Sequence, residues 1–282
     1  MWHRQIEAIV DHALAEDIGW GDVTTEILIP PELRGKASIL VKASGVLAGI
    51  EVMETVFHHI DPELKIEILA PDGKGVAPGD VVAQVSGKVS SILKAERVAL
   101  NFLQHLSGIA SETARYVERT AGLPVHILDT RKTTPGLRHL EKYAVRIGGG
   151  YNHRQHLGDG ILIKDNHLAA LRSQGTSLKE AIDRSKRSAP HTLKVEVEVK
   201  TVDEAVEAVE AGADSIMLDN MSREQMNEAV KLLKGRCLLE ASGGIRLDNI
   251  RAIAETGVDL ISVGALTHSS PALDISLEIE VG

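Results

Sequence analysis

Two hydrophobic rhythms divide the chain. Up to about residue 105 the apolar positions fall in short β-rich runs: ASILVKASGVLAGI, LKIEILA and GDVVAQVSGKV. Turn signals separate them, PDGKG at 71–75 and PGD at 78–80. Ahead of these runs, MWHRQIEAIVDHALAEDIGWGD has helical periodicity but carries Asp11, Glu16 and Asp17, so it reads as an amphipathic helix and not as a leader. A further helical stretch is predicted from about Lys94 to Arg119. Beyond residue 122 the rhythm becomes regular. Six apolar strand candidates recur, VHILD, GILIK, LKVEVEV, SIMLD, CLLEAS and LISVG, and helical segments separate most of them.

Helix ends are legible in this second half. Ser177 with Glu180, Thr201 with Glu204, and Ser222 with Gln225 have capping-box spacing, in which a hydroxyl accepts from an exposed backbone N–H and the acid or amide bonds back. Gly212, Gly235 and Gly257 stand just past helical runs, where a left-handed cap suits glycine. EAGADSIML (210–218) and ETGVDLISV (255–263) repeat one order: helix end, glycine, aspartate, strand. Alternating strands and helices with short connections predict a parallel sheet. Six strands could close into a barrel or lie open as a doubly wound sheet, and the pattern alone allows both.

Composition narrows the class. The chain has 282 residues, 43% hydrophobic but only 2% aromatic, so its core must be aliphatic. A net charge of −9 argues against general nucleic-acid binding, which requires basic surface to displace counterions. The single cysteine, Cys237, allows no intrachain disulfide and fits a reducing, cytoplasmic setting. No apolar run is long enough for a membrane span.

The chemistry gathers at strand ends. Asp129, Thr130, Arg131 and Lys132 follow VHIL; Lys164 and Asp165 follow GILI; Asp219 and Asn220 follow SIML. In parallel α/β folds, ligands bind at the C-terminal edge of the sheet. A single polar strand end is usually a solvated loop, but six ends bearing strong residue types point to a pocket. LKVEVEV sharpens this. Val195, Val197 and Val199 share one face and Glu196 and Glu198 the other, so helices covering the valines would send both glutamates inside. Each would then need a cation, a hydroxyl or a metal, for which Lys164 and the Arg131–Lys132 pair are available.

Asp129 to His167 holds seven Lys or Arg against four acids, a +3 segment in an acidic chain. That implies an anionic ligand, and arginine is suited to planar carboxylates. Arg138, Lys142 and Arg146 read as a solvated helix face, whereas Arg131, Lys132, Arg154 and Lys164 remain as ligand candidates. ASGGI and SVGA offer glycines, a hydroxyl and backbone N–H groups on successive strands, a pattern suited to phosphate. Together these features describe an enzyme joining a phosphorylated sugar to an acidic small molecule.

DTRKTTPGLRHLEKYAVRIGGGYNHRQHLGDGILIKDNH closely resembles the quinolinate phosphoribosyltransferases, the carboxylating nicotinate-nucleotide pyrophosphorylases. VEVEVKTVDEAVEAVEAGADSIMLDNM, LEASGGIRLDNIRAIAETGVDLISVGALTHSSPALDISL and the early EDIGWGDVTTE extend the resemblance over nearly the whole chain. It implies an N-terminal α/β sandwich domain, residues 1–105 with 269–282 returning to it, and an irregular, incomplete TIM-like α/β barrel over 106–268. It implies transfer of phosphoribosyl from 5-phosphoribosyl-1-pyrophosphate to quinolinate, with decarboxylation, in NAD synthesis. Mg2+ would accompany the donor, near Glu198 and Asp219, with no direct protein ligand assigned. The working unit would be a homodimer sharing its active site, or a higher oligomer.

By the same resemblance, Arg131, His153 and Arg154 face the two carboxylates of quinolinate, and Arg97 does so across the dimer. Thr130, Lys132 and Lys164 contact the substrates. Glu198 and Asp219 lie near the ribose. Lys132, Lys164, Glu198 and Asp219 carry the catalysis. Ser242, Gly243, Gly244, Val263, Gly264, Ala265 and His268 hold the phosphate end, and Glu196 is the lesser of the two glutamates because it lies deeper along its strand. Two other readings stand beside this one: the same fold acting on nicotinate or a related acid, and a carrier module suggested by PGDVVAQVSGKV, whose flanking turns lack the lysine pattern of such modules.

Overall fold

A computed structural model describes residues 2–281, with side chains from residue 4. The order of elements is α1 (Trp2–Ile18), α2 (Val23–Leu28), β1 (Arg34–Val41), β2 (Gly45–Val46), α3 (Ile50–Ile60), β3 (Lys65–Ile68), β4 (Gly75–Val76), β5 (Val81–Lys88) and α4 (Val89–Arg119). It continues through β6 (His126–Leu128), α5 (Arg138–Ile147), β7 (Ile161–Ile163), α6 (Asp165–Arg172), α7 (Leu178–Ser188), β8 (Val195–Val199) and α8 (Val202–Glu210). It ends with β9 (Ser215–Asp219), α9 (Arg223–Leu233), β10 (Leu238–Ser242), α10 (Ile250–Ala254), β11 (Leu260–Ser262), α11 (Ala265–His268) and β12 (Ile275–Glu280).

The chain divides into two compact units. The first takes residues 1–114, 133–149 and 266–282; the second takes 115–132 and 150–265. In the first, an antiparallel sheet runs in the order β12-β1-β5-β3, so the C-terminal strand pairs with the first strand of the chain. Ile39 and Val41 in β1 and Val82, Ala83 and Val85 in β5 are buried, as are Val52, Met53, Val56 and Phe57 on α3. Each fully buried aliphatic side chain contributes roughly 1.5–3 kcal/mol.

The helical stretch predicted over Lys94 to Arg119 is present, and one expectation changes in this unit. The shift of rhythm near residue 105 falls inside one continuous 31-residue helix, α4. Lys142 is not on a solvated face: it is 2% exposed, beside a fully buried Glu141. Glu141 accepts from His105 Nε2 at 3.0 Å and from the Thr134 N–H at 3.1 Å. Glu141 and Lys142 therefore turn inward, whereas Arg146 is exposed as periodicity placed it. Arg138 is half-buried and donates to the Thr133 hydroxyl.

The second unit is the parallel α/β part. Its six strands run β6-β11-β10-β9-β8-β7, all neighbours parallel. Ser177 and Ser222 form both bonds of their capping boxes. Thr201 accepts from the Glu204 N–H, but Glu204 bonds to the Lys200 N–H instead of completing the box. Gly212, Gly235 and Gly257 take positive φ of 92°, 84° and 91°.

Register sets what points inward. Ser242 pairs with Asp219 on one side and Ser262 on the other, and Ser262 pairs with Leu128. One layer deeper, Glu240 pairs with Met217 and Leu260. Val195, Val197 and Val199 are buried on the opposite face from the glutamates. Residues from all six strands line the same interior cavities, so the sheet curls around them. No ladder joins β6 to β7 among the described residues; Tyr151 alone bridges to Leu128 beside that seam. The result is the incomplete, irregular barrel that the resemblance implied.

Candidate active site

The C-terminal ends of the parallel strands open on a cavity of about 290 Å³. Its wall contains Thr130, Arg131, Lys132, His153, Arg154, Lys164, Glu198, Asp219 and Ser242, nine of the residues singled out in the sequence. They converge because parallel strands deliver their C-termini to one edge. Gly243 and Gly244 form the turn after β10, with φ of 89° and 63°. A side chain at 243 would press on the Asn220 carboxamide and strain a positive φ, so the bend favours glycine. Val263, Gly264 and Ala265 follow β11, and the Val263 N–H donates to Leu128 O. Arg97, exposed on α4, and His268, exposed at the end of α11, belong to the first unit and are not among the lining residues.

Charge is distributed unevenly around this wall. Lys164 Nζ lies 2.6 Å from Glu198 Oε2, an ion pair whose acid side chain is only 9% exposed. Glu198 thus has the cation that its inward position demanded. Asp219 accepts from Asn220 at 3.0 Å and keeps a half-buried carboxylate toward the cavity. Arg131 and Arg154 line the same cavity. Burial, with the Arg131 charge adding, lowers the Arg154 pKa from its ordinary value. Two neighbouring guanidiniums in partial burial favour a bound dianion, whose charge would offset both effects.

The loop carrying His153 and Arg154 is tied down from below. Asp129, fully buried at the end of β6, accepts from the His153 N–H at 2.8 Å and from Asn152 Nδ2 at 2.6 Å. Arg154 also donates to Gly160 O at 2.9 Å. The His153 ring is occupied on both nitrogens: Nδ1 accepts from the Arg154 N–H at 2.8 Å, and Nε2 lies 3.2 Å from Glu196 Oε2 and 3.7 Å from Glu240 Oε2. The imidazole is therefore directed into the barrel, and Arg154 is the member of the pair with a guanidinium to offer a ligand. Glu196 also accepts from the Ser215 hydroxyl at 3.2 Å.

Ser262, Leu162 and Met217 line the cavity without having been singled out in the sequence. Glu240 is a further omission. Its signal was available: in LLEAS it lies two residues before Ser242 and shares its face. Cys237 is half-buried and its thiol is pushed up to about 11 by burial, with Asp259 adding, so it is no nucleophile at neutral pH.

This geometry defines a class: an α/β-barrel protein whose strand ends bring four cations and two carboxylates around one cavity. Comparison with known proteins makes it specific. The quinolinate phosphoribosyl transferase N-terminal domain matches residues 22–107 and the C-terminal domain residues 109–278, so the chain belongs to the quinolinate phosphoribosyl transferase family. The probable nicotinate-nucleotide pyrophosphorylase [carboxylating] of Bacillus subtilis is 43% identical over 279 residues, covering 99% of this chain and 95% of the relative. The crystal structure of NadC from Streptococcus pyogenes superposes with a TM-score of 0.93 at 45% identity, over 99% of this chain and 97% of that one. Nicotinate-nucleotide pyrophosphorylase from Francisella tularensis gives a TM-score of 0.93 at 39% identity, over 98% of this chain and 96% of that one.

Proposed function

We propose that this chain transfers phosphoribosyl from 5-phosphoribosyl-1-pyrophosphate to quinolinate, releasing pyrophosphate and carbon dioxide and leaving nicotinate mononucleotide for NAD synthesis. The observation that carries this reading is one cavity in which Arg131, Lys132, Arg154 and Lys164 face Glu198 and Asp219. Arg131 and Arg154 grip the two carboxylates, and Lys164, fixed by Glu198, stands between acceptor and donor. This holds the pyridine nitrogen in line with the anomeric carbon. The bond from that carbon to the pyrophosphate oxygen breaks, its electron pair leaving with pyrophosphate. Glu198 and Asp219 stabilise the positive charge that develops on the sugar. The nitrogen lone pair then forms the new bond. The ring is now cationic, so the adjacent carboxylate leaves as carbon dioxide, its electron pair stays on the ring carbon, and that carbon takes a proton from water.

Lys132, exposed at the cavity mouth, meets the pyrophosphate. The donor set also fits magnesium arriving with its own waters. Asp219 offers a half-buried hard oxygen, whereas Glu198 is engaged by Lys164. Once bound, the ion would offset charge on the leaving group. Ser242 and the glycine turns suit the 5-phosphate, and we assign His268 to the same end. A dimer that shares its site through Arg97 completes the proposal; exposed Trp20, Val23, Ile27 and Leu28 support a self-association surface. Among the described residues no helix is long and apolar enough to cross a membrane, and we place the chain in the cytoplasm.

The test is an assay with purified protein, quinolinate, magnesium and the pyrophosphate donor, read as nicotinate mononucleotide and carbon dioxide. Absence of product at every enzyme concentration sinks the proposal. Nicotinate in place of quinolinate tests the second reading, and the paired arginines predict that the dicarboxylate is preferred.

A further inference from the structure

Beneath the cavity that holds Arg154 lies a second one of about 200 Å³, reached by side chains from all six strands. Its polar centre is His153, Glu196 and Glu240, whose facing atoms all lie within 4.8 Å of one another. Such a trio invites a metal, but the hydrogen bonds argue for a proton. A backbone N–H can only donate, so the Arg154 N–H bond to Nδ1 leaves Nδ1 unprotonated and puts the proton of the neutral ring on Nε2. A metal-bound Nε2 would require the reverse, with Nδ1 donating. Here Nε2–H points at Glu196.

Glu240 then cannot be a second bare carboxylate. It is 1% exposed, and its Oε1 has no hydrogen-bond partner among the described residues. The groups around it are Glu196 on β8, His153 and Arg154 on their loop, Met217 on β9 and Leu260 and Ser262 on β11; Asp159 and Lys194 line the same cavity. An ionised group so placed would face Glu196, with the His153 ring 3.7 Å away and Ser262 offsetting only part of the cost. As a neutral acid it could instead donate to Glu196, whose facing oxygen lies within 4.8 Å. Burial first, and the Glu196 charge second, push its pKa up to about 8.

We infer that Glu240 is a positioning residue for acceptor binding: as a neutral acid it donates to Glu196, Glu196 accepts from His153 Nε2–H, and His153 Nδ1 holds the Arg154 N–H, so that the barrel interior aims the Arg154 guanidinium. This rests on the reading of the upper cavity as the quinolinate site. Glu196 gains a role as well, that of anchoring the imidazole.

Glu240→Gln keeps a donor at every pH, and Glu240→Leu removes it. At neutral pH the Leu variant should raise the KM for quinolinate about tenfold or more with little change in the KM for the pyrophosphate donor, and the Gln variant should recover most of that loss. In the unsubstituted protein the quinolinate KM should climb above about pH 8 as Glu240 ionises; in Glu240→Gln it should stay flat. Two readouts need no substrate. Nitrogen-15 spectra of the histidine rings should show His153 as the Nε2–H tautomer in the unsubstituted and Gln proteins. Because the folded state holds the Glu240 proton up to about 8 and the unfolded chain releases it near the ordinary carboxylate range, stability should fall with pH across that interval. Glu240→Gln should therefore gain in melting temperature relative to the unsubstituted protein as pH rises from about 4 to 8.

An unchanged quinolinate KM in a folded Leu variant overturns the inference, as does an alkaline rise in Glu240→Gln equal to that of the unsubstituted protein. If the Leu variant does not fold, the Gln pH profile and the spectra decide. A stoichiometric divalent metal present in the purified protein and missing from Glu240→Gln would make the trio a metal site and end the proposal. Should quinolinate not react at all, the reaction assignment fails, while the tautomer and the pH slope of stability still judge the network.

Discussion

Glu198 shows what a single residue contributes and how far it could be read. Alternation in LKVEVEV directed it inward, and the cost of burying a carboxylate required a partner. Lys164 is that partner, 2.6 Å away. Glu198→Gln keeps the shape but loses the charge that fixes Lys164 and that the proposed mechanism sets against the sugar cation. We expect kcat/KM to fall about 10²-fold or more with little loss of stability, measured by initial rates beside a thermal melt. A stability loss with unchanged kcat/KM would assign Glu198 to the fold instead. His153 was legible as a site residue, and it lines the cavity. Its Nε2 also lies near two carboxylates of the protein, Glu196 and Glu240. Only the side chains that meet it in space could show that.

At the scale of elements, turns and caps were the most legible features because their causes are local. Ser177, Ser222 and the glycines after helices sit where spacing put them. The turn after β10 is the element that our proposal gives to the phosphate end. Gly243→Ala meets both a positive φ of 89° and the Asn220 carboxamide. We expect a loss of about 1–3 kcal/mol in unfolding free energy and a raised KM for the pyrophosphate donor, with the quinolinate KM less affected. Denaturant unfolding and the two KM values check this; equal rises in both would show that the turn acts on the whole sheet edge. Helix α5 departs from its pattern for a physical reason. Its charges repeat with the period of a solvated face, yet Glu141 and Lys142 are buried, and Glu141 finds its polar partner His105 far away in sequence.

For the whole molecule, the proposed shared site turns on Arg97. Arg97 lies in the first unit, exposed, and outside the lining of the cavity. If it serves a second copy, Arg97→Ala and Arg131→Ala proteins should each lose nearly all activity. Mixed under conditions of subunit exchange, they should regain up to about a quarter of the unsubstituted rate, since a heterodimer keeps one intact site. No recovery with exchange confirmed would return Arg97 to a solvent role.

The sequence by itself determined the alternation of strand and helix, the parallel sheet, the caps and the set of charged residues at the strand ends, because each follows from periodicity or local backbone chemistry. It also held the motifs that identify the family. Only the tertiary structure decided that the sheet curls without a ladder between β6 and β7, that Lys164 takes Glu198, and that Glu240, Glu196 and His153 meet. Those outcomes depend on register between strands distant in sequence and on which polar groups share a low-dielectric interior, and neither is written in any short stretch of chain.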